Sequence, residues 1–361
     1  MKTREKVRIE LLDVIRGIAA SLVVIHHVLR KIPGLDSERF WEDVSLRPWW
    51  TPLAFHGDLA VTIFFVLSGT SLAIACIGTE QSFLTFYRKR FFRIYPLFAL
   101  VLLMNYATQS RVRAHVDANI WISYLTFAFN WTRCPRPFIG VLWSLATEMQ
   151  FYLFFPVFML ALKRSGKSFG SMLVGVFCLV CFLVSSRFHL EYAEMLERLW
   201  EFGGGVIIGA NLDIIRRIGD VLKIRISLML LTIAMWFFAI LSDGHAGAVL
   251  FSFCLTMLAL YYGNWKSRSV FSKFLVHIGT VSYGLYLWHC IFIGKISHQL
   301  EKTSLSPILL GVILFVLIYS LSLVLSSISY RFYEKPFMSI GSSRKKSMSS
   351  DRVIQEMALR Q

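Results

Sequence analysis

IELLDVIRGIAASLVVIHHVL, residues 9–29, is the stretch from which the rest of the chain is read. A helix needs roughly 20 apolar residues to cross a bilayer, and this run supplies that length. Yet it carries Asp13, Arg16, His26 and His27. Ionisable groups at membrane depth are costly, so they face a protein interior or a wet cavity. Arg16 and His27 stand eleven residues apart, about three helical turns, and therefore share one face. Asp13 joins that face a turn earlier, whereas His26 is rotated away by about 100°. Two readings follow: a polar stripe that pairs with neighbouring helices, or one wall of a functional cavity.

Working outward, the whole chain has the same character. Of its 361 residues, 56% are hydrophobic, 15% aromatic and only 17% charged, and mean hydropathy is +0.59. Repeated apolar runs of this kind define a polytopic membrane protein rather than a soluble domain. No hydrophilic block is large enough for a second domain. Residues 1–341 are read as one membrane domain and 342–361 as a polar, basic tail, disordered or lying on the inner leaflet. The net charge of +16 fits cytoplasmic loops rich in Lys and Arg better than a nucleic-acid partner. The N-terminus has a basic start and an apolar run like a signal peptide, but Asp13 and Arg16 interrupt that run. It is read as an uncleaved first span.

Nine further spans are expected at Ala54–Gly78, Ile94–Ser110, Ala146–Leu162, Phe169–Ser186, Leu199–Ile215, Ile226–Leu241, Ala246–Gly263, His277–His298 and Pro307–Ser329. The fold class is therefore all-α: about ten transmembrane helices in one bundle with a central cavity. Ile120–Trp131 is apolar but too short to cross, and is read as re-entrant or interfacial. Counting it as a span would put Lys163, Arg164 and Lys167 outside, against the positive-inside rule. With both termini cytoplasmic, about two thirds of the Lys and Arg residues outside the spans fall inside the cell.

Several features have bland readings. Trp41, Trp49 and Trp50 lie in an outer segment, Arg30–Thr51, and suit an interface belt or an aromatic sugar platform. Thr132–Gly140 holds two prolines, and Arg187–Glu201 is acidic. Gly205 and Gly209 form a GxxxG that implies close helix packing, since no strand precedes it as a phosphate loop requires. Cys178 and Cys181 form a mid-span CxxC, read as packing, and with only Cys134 clearly in a loop no disulfide framework is implied.

Four other stretches concern chemistry. FYRKRFFRIYP carries Arg88, Lys89, Arg90 and Arg93, and Arg90 and Arg93 share a helix face. The cluster reads either as a topogenic block or as a phosphate clamp, because arginine offers planar bidentate donors. VLWSLATEMQFYLFFP places Trp143 and Ser144 just above Glu148. VSYGLYLWH brings Tyr283, Tyr286, Trp288 and His289, and YRFYEKPF brings Arg331, Glu334 and Pro336.

Together with LDVIRG and FFVLSG, these motifs resemble, in order from Leu12 to Phe337, the acyltransferase-3 family of integral membrane acyltransferases. That family includes bacterial O-antigen and Nod-factor acetyltransferases. The resemblance implies that Arg16 and His27 are the family's Arg-x10-His pair, implicated in catalysis. It also implies that Arg90 and Arg93 are its RxxR, associated with acyl-CoA, with Arg88 beside them, and that Glu148 is its WSLxxE glutamate. Two positions depart from the pattern: Met149 where a second acid is common, and Thr62 where an aspartate often precedes FFVLSG. Both leave the acceptor open.

Acyl transfer from a thioester to a hydroxyl needs a base, oxyanion donors and an anchor for the donor's phosphates. His27 is read as the base, with Glu148 at comparable depth to orient its ring. Arg16 rises about 16 Å away along the helix and is assigned to hold CoA or its pantetheine amides. Ser144, Tyr286 and His289 are candidate oxyanion donors, and Trp143 and Asp13 candidate cavity residues. Direct transfer and passage through an acyl-histidine both stay open. The expected activity is O-acylation, with acetyl taken from cytoplasmic acetyl-CoA and delivered to a carbohydrate hydroxyl, such as one of lipopolysaccharide, at the outer face. The lipid bilayer, acyl-CoA and a carbohydrate acceptor are the expected partners; no metal and no nucleic acid are expected. The other readings are a transporter or flippase of a lipid-linked glycan and a succinyl-type acyltransferase; no internal repeat of the kind common in transporters is evident.

Overall fold

A computed structural model of the chain describes residues 8–32, 57–77, 79, 82–131, 138–188, 195–219, 222–241, 245–300 and 305–342. The basic tail, Cys134 and the outer tryptophans Trp41, Trp49 and Trp50 lie outside the described residues. Every described regular element is a helix: α1 (Glu10–Leu29), α2 (Gly57–Cys76), α3 (Phe83–Thr108), α4 (Ser110–His115), α5 (Ala118–Leu125), α6 (Leu142–Arg164), α7 (Lys167–Phe188) and α8 (Met195–Ala210). They continue as α9 (Leu212–Gly219), α10 (Leu222–Leu241), α11 (His245–Tyr261), α12 (Val270–Thr280), α13 (Ser282–Leu300), α14 (Pro307–Ser329), a π turn (Tyr330–Glu334) and α15 (Lys335–Ser342).

Each span expected from sequence falls on helix, but not every one is a long, straight crossing. Among the described residues six helices are long and apolar enough to cross a membrane: α1, α2, α3, α6, α7 and α14 with its extension. A seventh arises if α12 and α13, bent by 73° at Val281, are one broken span. α8 stops at Ala210 after 16 residues, about 24 Å at 1.5 Å per residue; α11 has 17 residues, and Ile224–Ala239 of α10 is also a shorter apolar stretch. The expected count of ten thus exceeds the number of long crossings. Apolar length was legible; helix breaks at Asn211 and Val281 carry no proline and were not. Ile120–Trp131 forms only the short α5 followed by turns, about 12 Å of helix.

Several faces are turned inside out. On α7, Met172, Val176, Leu179 and Leu183 are exposed, as are Ile308, Val312 and Val316 on α14. These stripes at helical spacing place hydrocarbon where a soluble protein would place charge. The chain is a multi-pass membrane protein.

Inside, backbones approach closely through small residues. Gly205 of α8 lies against the Val66 carbonyl of α2, and Gly69 of α2 against the Phe202 carbonyl, so a methyl at either would collide with backbone. The Thr70 hydroxyl bonds across this seam to the Gly205 carbonyl at 3.0 Å. The GxxxG is a packing device, as its sequence implied. α1 and α12 meet in the same way, Gly17 against Gly279. Cys178 and Cys181 are buried free thiols, and Cys178 packs beside Gly203.

Candidate active site

Ionisable residues of α1, α3 and α6 converge on one cavity of about 1060 Å³, at the upper end of the range for ligand pockets. Asp13 and Arg16 come from α1, Ser68 and Ser71 from α2, Arg90 and Arg93 from α3. Glu148 and Tyr152 come from α6, and Tyr283 and Tyr286 from α13. The α1 register does what its sequence required: Asp13 and Arg16, one turn apart, point the same way and pair at 2.8 Å. Arg8 takes the other Asp13 oxygen, also at 2.8 Å. Both Asp13 oxygens are thereby engaged, and Arg16 reaches on to Ser71 at 3.1 Å.

Glu148 belongs to the Arg16 end of this network. Its Oε1 accepts hydrogen bonds from Ser68 and from Tyr152, each at 2.6 Å. It also attracts Arg16 electrostatically, while Arg93 opposes it. Among the described residues, no hydrogen bond joins Glu148 to His27. The expected orienting role therefore has no contact behind it. Glu148 sits about 9 Å into α6 from Leu142, deeper than apolar boundaries suggested, and Tyr152 one turn on fixes it there.

Arg90 and Arg93 both line the cavity, as their shared face implies. The Arg90 guanidinium lies 5.9 Å from the ring centres of Phe86 and of Tyr152, and its Nε is buried without a hydrogen bond. Among the described residues Arg93 hydrogen-bonds only the Met338 sulfur, at 3.9 Å, and its charge also acts on Glu334. Neither is committed to a protein carboxylate by a hydrogen bond. Arg88 is not brought to the cavity. It is about 200° around the helix from Arg90 and donates instead to the Gly341 carbonyl of α15 at 3.0 Å.

His27 and His289 form a separate pair beside the cavity, ring centres 5.2 Å apart. The link to the cavity is Tyr286, whose ring is 5.9 Å from His289 and whose hydroxyl meets Ser144 at 2.7 Å. The His27 Nδ1 lies 2.9 Å from the Val23 carbonyl and the His289 Nδ1 lies 3.1 Å from that of Leu285. A carbonyl only accepts, so each Nδ1 carries a proton, and in the neutral ring each Nε2 keeps its lone pair. Sequence could not tell which nitrogen is basic; local helix geometry does.

Trp143 does not line the cavity. It lies under the Arg198 guanidinium at 5.6 Å, in a cluster that the sequence did not foretell. Arg198 and Glu201, both fully buried, pair at 2.7 Å, and His245 is 2.8 Å from the same Glu201 oxygen. The acidic stretch Arg187–Glu201 thus runs partly into α8, inside the bundle. Ser68 and Tyr152 were also missed, although Ser68 lies within FFVLSG and Tyr152 is one turn from Glu148. No group of three His, Cys, Asp or Glu placed to hold a metal occurs among the described residues.

A membrane-embedded helical bundle with a cation-rich cavity and an adjoining histidine pair is the class these observations define. The profile of the acyltransferase domain of the acyltransferase-3 family matches residues 9–330, and the chain belongs to that family. It is 27% identical over 366 residues to a Staphylococcus aureus (strain COL) protein named "Putative O-acetyltransferase", across 87% of this chain and 58% of that one. It is 27% identical over 382 residues to the "Putative peptidoglycan O-acetyltransferase YrhL" of Bacillus subtilis (strain 168), across 88% and 56%. The chain thus spans somewhat more than half the length of these relatives. A Caenorhabditis elegans protein named "Regulator of hypoxia-inducible factor 1" is 27% identical over 187 residues, across 46% and 37%. No solved structure matches the chain.

Proposed function

We propose that this protein is a membrane O-acyltransferase that takes an acyl group, acetyl, from acyl-CoA on the cytoplasmic side and delivers it to a carbohydrate hydroxyl at the outer face. The observation that carries the reading is the convergence of Arg16, Arg90 and Arg93, from two helices, on a cavity that continues to Ser144 and Tyr286. Arg90 and Arg93 have charge to spare for an anionic ligand, and Arg16 bonds Asp13 and Ser71 in the same wall. Such forks suit phosphate oxygens. Family membership and relatives named as O-acetyltransferases support the reaction class.

On this reading His27 Nε2 accepts the acceptor hydroxyl's proton as that oxygen attacks the thioester carbonyl. The carbonyl oxygen gains negative charge, and Ser144 and Tyr286 would donate to it by turning their hydroxyls away from the Val141 carbonyl, which both reach in the structure. The CoA sulfur then leaves as thiolate and takes up a proton. Glu148 acts at the donor end, holding Ser68 and Tyr152 and balancing Arg16. The bilayer is the working environment, with ten crossings in the inner membrane and both termini cytoplasmic; the acceptor is a cell-surface glycan, in keeping with the peptidoglycan named for one relative. The deciding experiment is deletion of the gene with analysis of surface glycan O-acetyl, alongside acetyl-CoA turnover by the purified protein. Intact O-acetylation in the deletion strain, with no acetyl-CoA turnover in vitro, refutes it.

A further inference from the structure

The cavity lining contains more positive charge than the arginines of α1 and α3 supply. Six cations line it, Arg8, Arg16, Arg90, Arg93, Lys167 and Arg216, against three carboxylates, Asp13, Glu148 and Asp213. The carboxylates are taken: Asp13 by Arg8 and Arg16, Asp213 by Lys167 at 2.6 Å, and Glu148 by two hydroxyls. Arg216, half-buried on α9, makes no hydrogen bond or ion pair among the described residues. Its guanidinium rests over Gly263 at the end of α11, where an added methyl would come within 2.8 Å of Nη2. Glycine there leaves the room that the fork occupies.

Arg216 stands apart from Arg90 and Arg93. α3 packs against α6, α13 and α15, whereas α9 packs against α10 and α11. The uncommitted cations therefore occupy two different walls of one cavity. Cations on two walls suit two anionic groups. Coenzyme A carries two separate phosphate groups, a diphosphate and a monoester on the ribose. We propose that Arg216, beside the Lys167–Asp213 pair, forms a second anion subsite that takes the ribose phosphate monoester, while Arg90 and Arg93 take the diphosphate. This rests on acyl-CoA being the donor. It makes the protein selective for a donor that bears the monoester.

The test uses the full chain in lipid nanodiscs with two donors, acetyl-CoA and 3′-dephospho-acetyl-CoA. The wild type should show a KM roughly ten-fold or more lower for acetyl-CoA, the value of a charge-assisted hydrogen bond lost with the monoester. In Arg216→Gln that ratio should collapse towards one, and Arg216→Lys should restore part of it, since charge returns without the fork. Direct titration of CoA and 3′-dephospho-CoA should give the same pattern in Kd. A ratio that stays at its wild-type value in Arg216→Gln overturns the subsite while leaving the donor intact. Failure of the wild type to bind or turn over either donor overturns the donor assignment, and the subsite with it.

Discussion

Replacing both Arg90 and Arg93 with alanine tests the donor site where the energetics are cleanest. The guanidinium of Arg90 stacks 5.9 Å from two aromatic rings, a contact worth about 0.5–1 kcal/mol and up to ~2 when desolvated. Among the described residues Arg93 hydrogen-bonds only a methionine sulfur and acts on Glu334 through its charge alone. Neither variant strips a hydrogen-bond donor from a carboxylate, so the fold should lose little. Binding should lose much more. Each charge-assisted contact to phosphate is worth about 1.5–3 kcal/mol, so one alanine weakens donor affinity roughly ten- to hundred-fold and two weaken it at least about a hundred-fold. The assay is acetyl-CoA turnover by purified protein in nanodiscs, with KM and kcat separated and thermal stability measured in parallel. KM should rise with stability nearly constant, and Arg93→Lys should also be impaired, because a point charge replaces a fork. A wild-type donor KM in the double variant refutes the assignment.

Three further outcomes follow. His27→Gln should abolish transfer at normal protein level, while His26→Gln, off the Arg16 face, should retain substantial activity; the wild-type rate should fall on the acid side as the His27 Nε2 lone pair takes a proton, and a wild-type rate in His27→Gln would remove it as the base. Glu148→Gln should slow turnover strongly and raise donor KM rather than change the acid limb, because the carboxylate bonds Ser68 and Tyr152 instead of a histidine; a shifted acid limb with unchanged KM would return it to the His27 end. A reporter fused after Lys167 should read cytoplasmic and one near Glu194 external, and the opposite pattern would invert the topology.

What was legible in the sequence was expensive to hide. Asp13 and Arg16 inside an apolar run had to meet something, and they meet each other. The spacing of Gly205 and Gly209 had to bring backbones together, and it does. Depth was harder. Hydropathy fixes where a span lies only to within a turn or two, enough to move Glu148 from His27 to Arg16. Charges near span ends were harder still. Arg216 and Lys167 look like topogenic loop residues, and only the fold brings them to the cavity wall. Arg198 and Glu201 straddle the expected span edge at Leu199, yet their mutual pairing lets α8 bury them. An isolated charge would have been excluded from that position.

The distribution of charge along α1 constrains how the proposed reaction is arranged. Arg16 and His27 are about 16 Å apart on one rigid helix, so no motion of that helix brings the donor's phosphates to the base. The donor must span the gap. In the proposed reaction its phosphates would stay at the end lined by Arg16, Arg90 and Arg93, and its acyl arm would extend past Glu148 towards Ser144 and Tyr286. That part of the cavity is lined by apolar side chains such as Val61, Phe64 and Leu145, which suits an uncharged arm and not a nucleotide. The acyl group is then the only part of the donor that approaches the opposite end of the bundle. If acyl-CoA is the donor, this arrangement requires no alternating access for it, because a fixed helix sets the distance and the arm of the donor covers it.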